Sequence, residues 1–128
     1  MGPSIVDNVK TGMSCACDEL FGPVLSIIRV STIDQALEIE RQSQYGNALS
    51  VFTGSGHVAR YVADRATSGM IGINVGVPVP REPFSFGGTK ESKFGSTDIT
   101  GWGGVDHWSN RKKITTKWAA QADKNWMS

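Results

Sequence analysis

"STIDQALEIERQSQYGNALSVFTGS", Ser31 to Ser55, contains a complete passage from helix to strand. Thr32 is a good N-cap, and Gln35 three residues later completes a capping box. Ile33, Ala36 and Leu37 fall on one helical face, with the charges mostly elsewhere. Gly46 is the expected stop, because glycine takes the left-handed backbone that follows a last turn. Leu49 to Thr53 then reads as a strand.

The pattern extends both ways. Upstream, "DELFGPVLSIIRV" (Asp18 to Val30) carries an almost continuous apolar run from Val24, which predicts a strand buried on both faces. Downstream, Val58, Tyr61, Val62 and Ala66 form the stripe of a second helix, with Gly69 as its stop, and Met70 to Val75 reads as a third strand. Strand, helix, strand, helix, strand predicts an α/β fold with an open parallel sheet and right-handed crossovers. Ligands of such sheets bind beyond the carboxyl ends of the strands. There begins a long Gly- and Pro-rich segment, Gly76 to Gly104, of a length that is commonly functional. Lys113 to Trp118 alternates and reads as a last strand, followed by a frayed tail over 119–128.

Composition bounds the function. The 128 residues suit one domain, and 39% hydrophobic with 20% charged residues suits a packed core. Thirteen basic and twelve acidic residues give a net charge of +1, which argues against a general nucleic-acid binder or a polybasic membrane surface. No apolar run approaches the roughly 18 residues of a spanning helix. The opening "MGPSIVDNVK" lacks the basic-then-apolar order of a signal peptide, so a cytoplasmic location is expected.

Few residues carry chemistry by spacing alone. Cys15 and Cys17 are too close for a zinc knuckle or a thioredoxin-type pair, so two reduced thiols and no metal site are expected. Asp18 and Glu19 stand before the first strand. Neighbours in an extended chain point to opposite sides, so they are not expected to form a catalytic dyad. They are either a solvated turn or acceptors for the hydroxyls of a sugar. "FSFGGTKESKFG" could cradle phosphate with Lys90 and Lys93, but it lacks the spacing of a phosphate loop and is not expected to open a helix. Tight backbone packing beside Phe84 and Phe86 is the alternative. Arg111 to Lys113 is a basic run, read as a guarded strand edge rather than a nucleic-acid site. His107 beside Asp106 makes no relay, and no nucleophile, base and orienter set is visible.

As a whole, the sequence resembles the C-terminal part of the aldehyde dehydrogenase superfamily. The resemblance rests on Glu19 to Val24, Tyr45-Gly46, Phe52-Thr53, "GMIGINV", "PFSFGGTKESKFG" and "KKITTKW". "INVGVPVPREPFSFGG" and "GPSIVDNVKTGM" are similar to the methylmalonate-semialdehyde dehydrogenase branch. That branch oxidises malonate or methylmalonate semialdehyde with NAD and passes the acyl group to coenzyme A.

The resemblance implies roles. Glu19 would hold the ribose hydroxyls beside the nicotinamide, and Phe21 would pack against that end of the cofactor. Phe86 would line the substrate tunnel, with Phe84 along the same channel and Arg81 meeting an acidic substrate. Residues 1–112 would be the end of a catalytic domain and 113–118 an assembly strand. A homo-oligomer is expected, with a full-length aldehyde dehydrogenase as another possible partner. The family's nucleophilic Cys, general-base Glu and dinucleotide-binding domain all lie upstream of the matching segment. No catalytic residue is therefore assigned, and the chain is expected to be inactive alone.

Overall fold

Thr32 starts the first long helix as its sequence predicts. The computed structural model describes residues 2–118, and in it the Thr32 Oγ1 accepts from the Gln35 N–H at 3.2 Å. The Gln35 side chain turns back, but it accepts from the Ser31 N–H (2.8 Å) rather than from Thr32. The helix, α2, runs Ile33–Gln42 after a one-turn α1, Ser14–Cys17. Asp34 in its first turn and Arg41 in its last suit the helix dipole. α2 ends at Ser43, well before Gly46. Its stop comes from a distant residue: the Lys90 ammonium donates to the carbonyls of Glu40, Arg41 and Ser43 at 2.9–3.0 Å. A cation on the last orphan carbonyls does what a C-terminal glycine would otherwise do.

The second helix, α3, spans Gly56–Arg65, with Ser55 as N-cap accepting from the Val58 N–H. It ends at Ala66, so Gly69 is not its stop. Two side-chain ties bind the helices and their connections. Tyr61 donates to Asp34 at 2.6 Å, with the Arg65 guanidinium 3.9 Å over the Tyr61 ring. Glu40 accepts from the Thr67 N–H, the Thr67 hydroxyl and the Ser68 hydroxyl. Desolvation works to raise the Glu40 carboxyl, but these donors outweigh it and leave the group below its ordinary value of 4.5.

The strands are shorter than the sequence suggests and do not form one open sheet. β1 (Ser4–Val6) pairs in parallel with β2 (Val24–Ser26). β3 (Tyr45–Gly46) pairs antiparallel with β6 (Thr89–Lys90). β4 (Ala48–Val51) pairs in parallel with β5 (Met70–Ile73). The fold is α/β, with parallel crossovers, but among the described residues it consists of three separate two-stranded ladders. The run after Val24 is not buried on both faces: it pairs for only three residues, and Leu25 and Val30 are exposed. The run is apolar along its length, yet neither face is fully covered. Residues 113–118 form no strand, because their alternation finds no neighbouring strand to pair with. The tail read over 119–128 lies outside the described residues.

The long segment after β5 is anchored by small residues. A Cβ at Gly69 would run into the backbone of Gly88, and one at Gly87 into the Gly69 carbonyl at 2.5 Å. The tight-packing reading of this loop therefore holds. A fourth helix, α4, follows at Gly101–His107. The buried core, Val9, Leu37, Ala59, Val62 and Met70, lies mainly where α2 and α3 pack near β5.

Candidate functional site: two adjoining clefts

α1 determines where the acidic pair goes. Its last turn closes with the Asp18 N–H donating to the Ser14 carbonyl at 2.8 Å, and the chain bends at Asp18. The alternation of an extended strand does not apply across that bend. Asp18 and Glu19 accordingly line the same cleft, of about 480 Å³, together with Cys17, Tyr45, Asn47 and Glu91. Three carboxylates in one cleft favour hydroxyl donors and cationic groups and disfavour phosphate.

β6 and the loop around it build a second cleft. Its volume is about 430 Å³, and Phe86, Phe94 and Ile99 give it an apolar wall. The Phe86 N–H donates to the Thr100 Oγ1 at 2.8 Å, which holds the ring's backbone. Lys93 and Asp98 form an ion pair on the same wall. His107 also lines it, with Nδ1 3.0 Å from the Thr97 hydroxyl. The two clefts share Asn47 and Ser92. The Ser92 hydroxyl accepts from the Gly46 N–H at 3.1 Å, so β3 fixes the shared wall.

The structure therefore brings Glu19 and Phe86 to adjoining clefts. Phe21 is 95% exposed, Phe84 is 72% exposed, and Arg81 is also exposed; the three line neither cleft. Lys90 caps α2 and Lys93 pairs with Asp98, so both ammonium groups of the phosphate reading are engaged within the chain. Arg111 of the basic run pairs with Asp106 at 2.7 Å. Both thiols are free, and among the described residues no three His, Cys, Asp or Glu side chains gather around a point.

Asn47, Glu91 and Ser92 were not marked by sequence as site residues. They lie 28 to 73 positions from Glu19, and the β3–β6 ladder brings Asn47 together with Glu91 and Ser92.

Known proteins share this arrangement of chain. The description "Aldehyde dehydrogenase family" matches residues 1–114. Malonate-semialdehyde dehydrogenase 1 of Geobacillus thermodenitrificans is 41% identical over 118 residues, 92% of this chain and 24% of that protein. The crystal structure of methylmalonate-semialdehyde dehydrogenase from Oceanimonas doudoroffii superposes with a TM-score of 0.86 at 38% identity, covering 91% of this chain and 24% of that one. An enzyme of Sinorhizobium meliloti 1021, provisionally named a methylmalonate-semialdehyde dehydrogenase and complexed with NAD, gives 0.85 at 37% identity, covering 92% and 24%. The chain thus spans about a quarter of the length of these relatives.

Proposed function

The chain belongs to the aldehyde dehydrogenase family, and on that premise we propose that it supplies one side of the nicotinamide-ribose site and of the substrate channel in an NAD-dependent oxidation of malonate or methylmalonate semialdehyde. The observation that carries this reading is the joining of the Glu19 and Phe86 clefts at Asn47 and Ser92. Bound NAD would supply the hydride acceptor. Glu19 accepts from the two ribose hydroxyls and orients the ring, in a cleft whose other carboxylates keep phosphate away. Phe86 walls the channel. Phe21, Phe84 and Arg81 line neither cleft in this chain; against the rest of an aldehyde dehydrogenase, Phe21 would cover that end of the cofactor, Phe84 would extend the channel wall and Arg81 would meet the substrate's distal carboxylate. Residues 113–118 serve subunit assembly.

Among the described residues no nucleophile, base and orienter set is assembled, and the chain spans about a quarter of its relatives' length, so by itself it is expected not to turn over. Purified chain with malonate semialdehyde, NAD and coenzyme A is expected to yield no NADH. Turnover abolished by Cys15→Ala or Cys17→Ala would overturn this and make one thiol the nucleophile.

The direct test is a chimera in which this chain replaces the matching quarter of the Geobacillus enzyme. It is expected to oxidise malonate semialdehyde, and Glu19→Gln within it to raise the KM for NAD roughly 10- to 100-fold. An unchanged KM would sink the ribose role. A second reading, a non-catalytic assembly module, draws on the many exposed apolar side chains. An inactive but folded chimera would favour it.

A further inference from the structure

Two residues, Asn47 and Ser92, line both the Glu19 cleft and the Phe86 cleft. The hydrogen bonds of their shared wall run through Ser92 and through backbone. The Ser92 hydroxyl accepts from the Gly46 N–H, the Gly46 carbonyl from the Gly69 N–H at 2.9 Å, and the Asn47 carbonyl from the Met70 N–H at 3.2 Å. Among the described residues the Asn47 carboxamide takes part in none of them. It is thus a free polar group on a held backbone. A Cβ on Gly88 would come within 3.7 Å of its Oδ1, so the carboxamide lies beside the glycines that follow Phe86.

The Glu19 cleft is rich in acceptors. Asp18, Glu19 and Glu91, when ionised, can only accept. That set fits ribose hydroxyls and a cationic ring, the donor chemistry at the nicotinamide end of NAD. It leaves one atom of that end without a partner: the oxygen of the ring's own carboxamide needs a donor, which no carboxylate supplies. Tyr45 has a donor but lines the Glu19 cleft and not the Phe86 cleft. Asn47 carries two N–H donors on the wall that both clefts share. A ribose held at Glu19 still lets the ring turn about its bond to the sugar. A half-turn exchanges the ring faces and carries the carboxamide to the other side. A donor fixed on one side selects one orientation.

We propose that Asn47 is the positioning residue of the ring: its Nδ2–H donates to the oxygen of the nicotinamide carboxamide and so decides which ring face is turned to the Phe86 cleft. The inference rests on the proposed function for its cofactor and goes beyond it, since neither the Glu19 role nor the Phe86 role requires it.

The experiment titrates the full 128-residue chain with nicotinamide riboside and with the pyridinium riboside that lacks the carboxamide, followed by NMR. Both probes carry the ribose and the cationic ring, and neither carries a phosphate for the carboxylates to repel. The parent is expected to bind nicotinamide riboside at least threefold tighter than pyridinium riboside. Asn47 is exposed, so Asn47→Leu and Asn47→Ala are expected to keep the circular dichroism of the parent. In both, the ratio is expected to fall to about one. Glu19→Gln is expected to weaken both ribosides by the same factor and to keep the ratio. A ratio near one in the parent, or a ratio that survives in whichever Asn47 variant folds, overturns this inference alone. Equal affinities in the parent and Glu19→Gln, with the ratio still set by Asn47, support this inference and count against the ribose role. Binding of neither riboside overturns both. In the chimera, malonate semialdehyde deuterated at its aldehyde carbon is expected to label one face of the NADH ring, and Asn47→Leu to put at least about a tenth of the label on the other. Single-faced labelling by Asn47→Leu overturns the facing role. An inactive chimera counts against the proposed function, and the riboside ratio then decides this inference.

Discussion

Glu40 shows how one side chain can hold a connection. Its carboxylate ties α2 to the turn between α3 and β5 through donors from Thr67 and Ser68. A carboxyl depressed in the folded state gives stability that is present above its ordinary value and lost as the pH falls through the folded one. Denaturant midpoints of the parent are therefore expected to fall below about pH 4.5. Glu40→Gln should be less stable at neutral pH and flatter over that acid interval. A parallel fall in both proteins would remove the tie. At this scale the sequence was partly legible. Glu19 and Phe86 were found through motif resemblance, and the structure puts them in adjoining clefts. Asp18 joins Glu19 at one cleft because a helix ends in a bend there, where strand alternation does not apply.

Helix starts were legible and helix ends were not. Thr32 and Gln35 are local partners, and spacing alone finds them. The end of α2 is set by Lys90, about fifty residues away, a distance over which no spacing rule reaches. Lys90→Met is expected to lower stability by about 0.5–1 kcal/mol after solvent screening. Leu37→Ala, which empties a buried site, should cost about 2–4 kcal/mol; urea unfolding measures both. Equal losses would mean that Lys90 holds more than a helix end. α4 escaped the sequence because three of its seven residues are glycine, the poorest helix former after proline. Tertiary contacts rescue it: the Gly103 N–H donates to the Ser85 hydroxyl at 3.1 Å, and a Cβ at Gly101 would strike the Pro83 carbonyl.

The strand and helix order of the whole molecule could be read, but not which strands become neighbours. Adjacency is decided by tertiary packing, and here packing yields three ladders instead of one sheet. Assembly belongs to this scale. Deleting residues 113–118 is expected to lower the mass of any oligomer measured by light scattering; an unchanged mass would remove the assembly role. Among the described residues no strand belongs to two ladders. The two-residue β3–β6 ladder is nonetheless tied to its neighbours, since Lys90 of β6 holds the end of α2 and the Gly46 carbonyl of β3 accepts from the Gly69 N–H before β5. The wall between the two clefts therefore yields only together with the helix end it holds, and the two compartments stay apart for as long as α2 keeps its last turn.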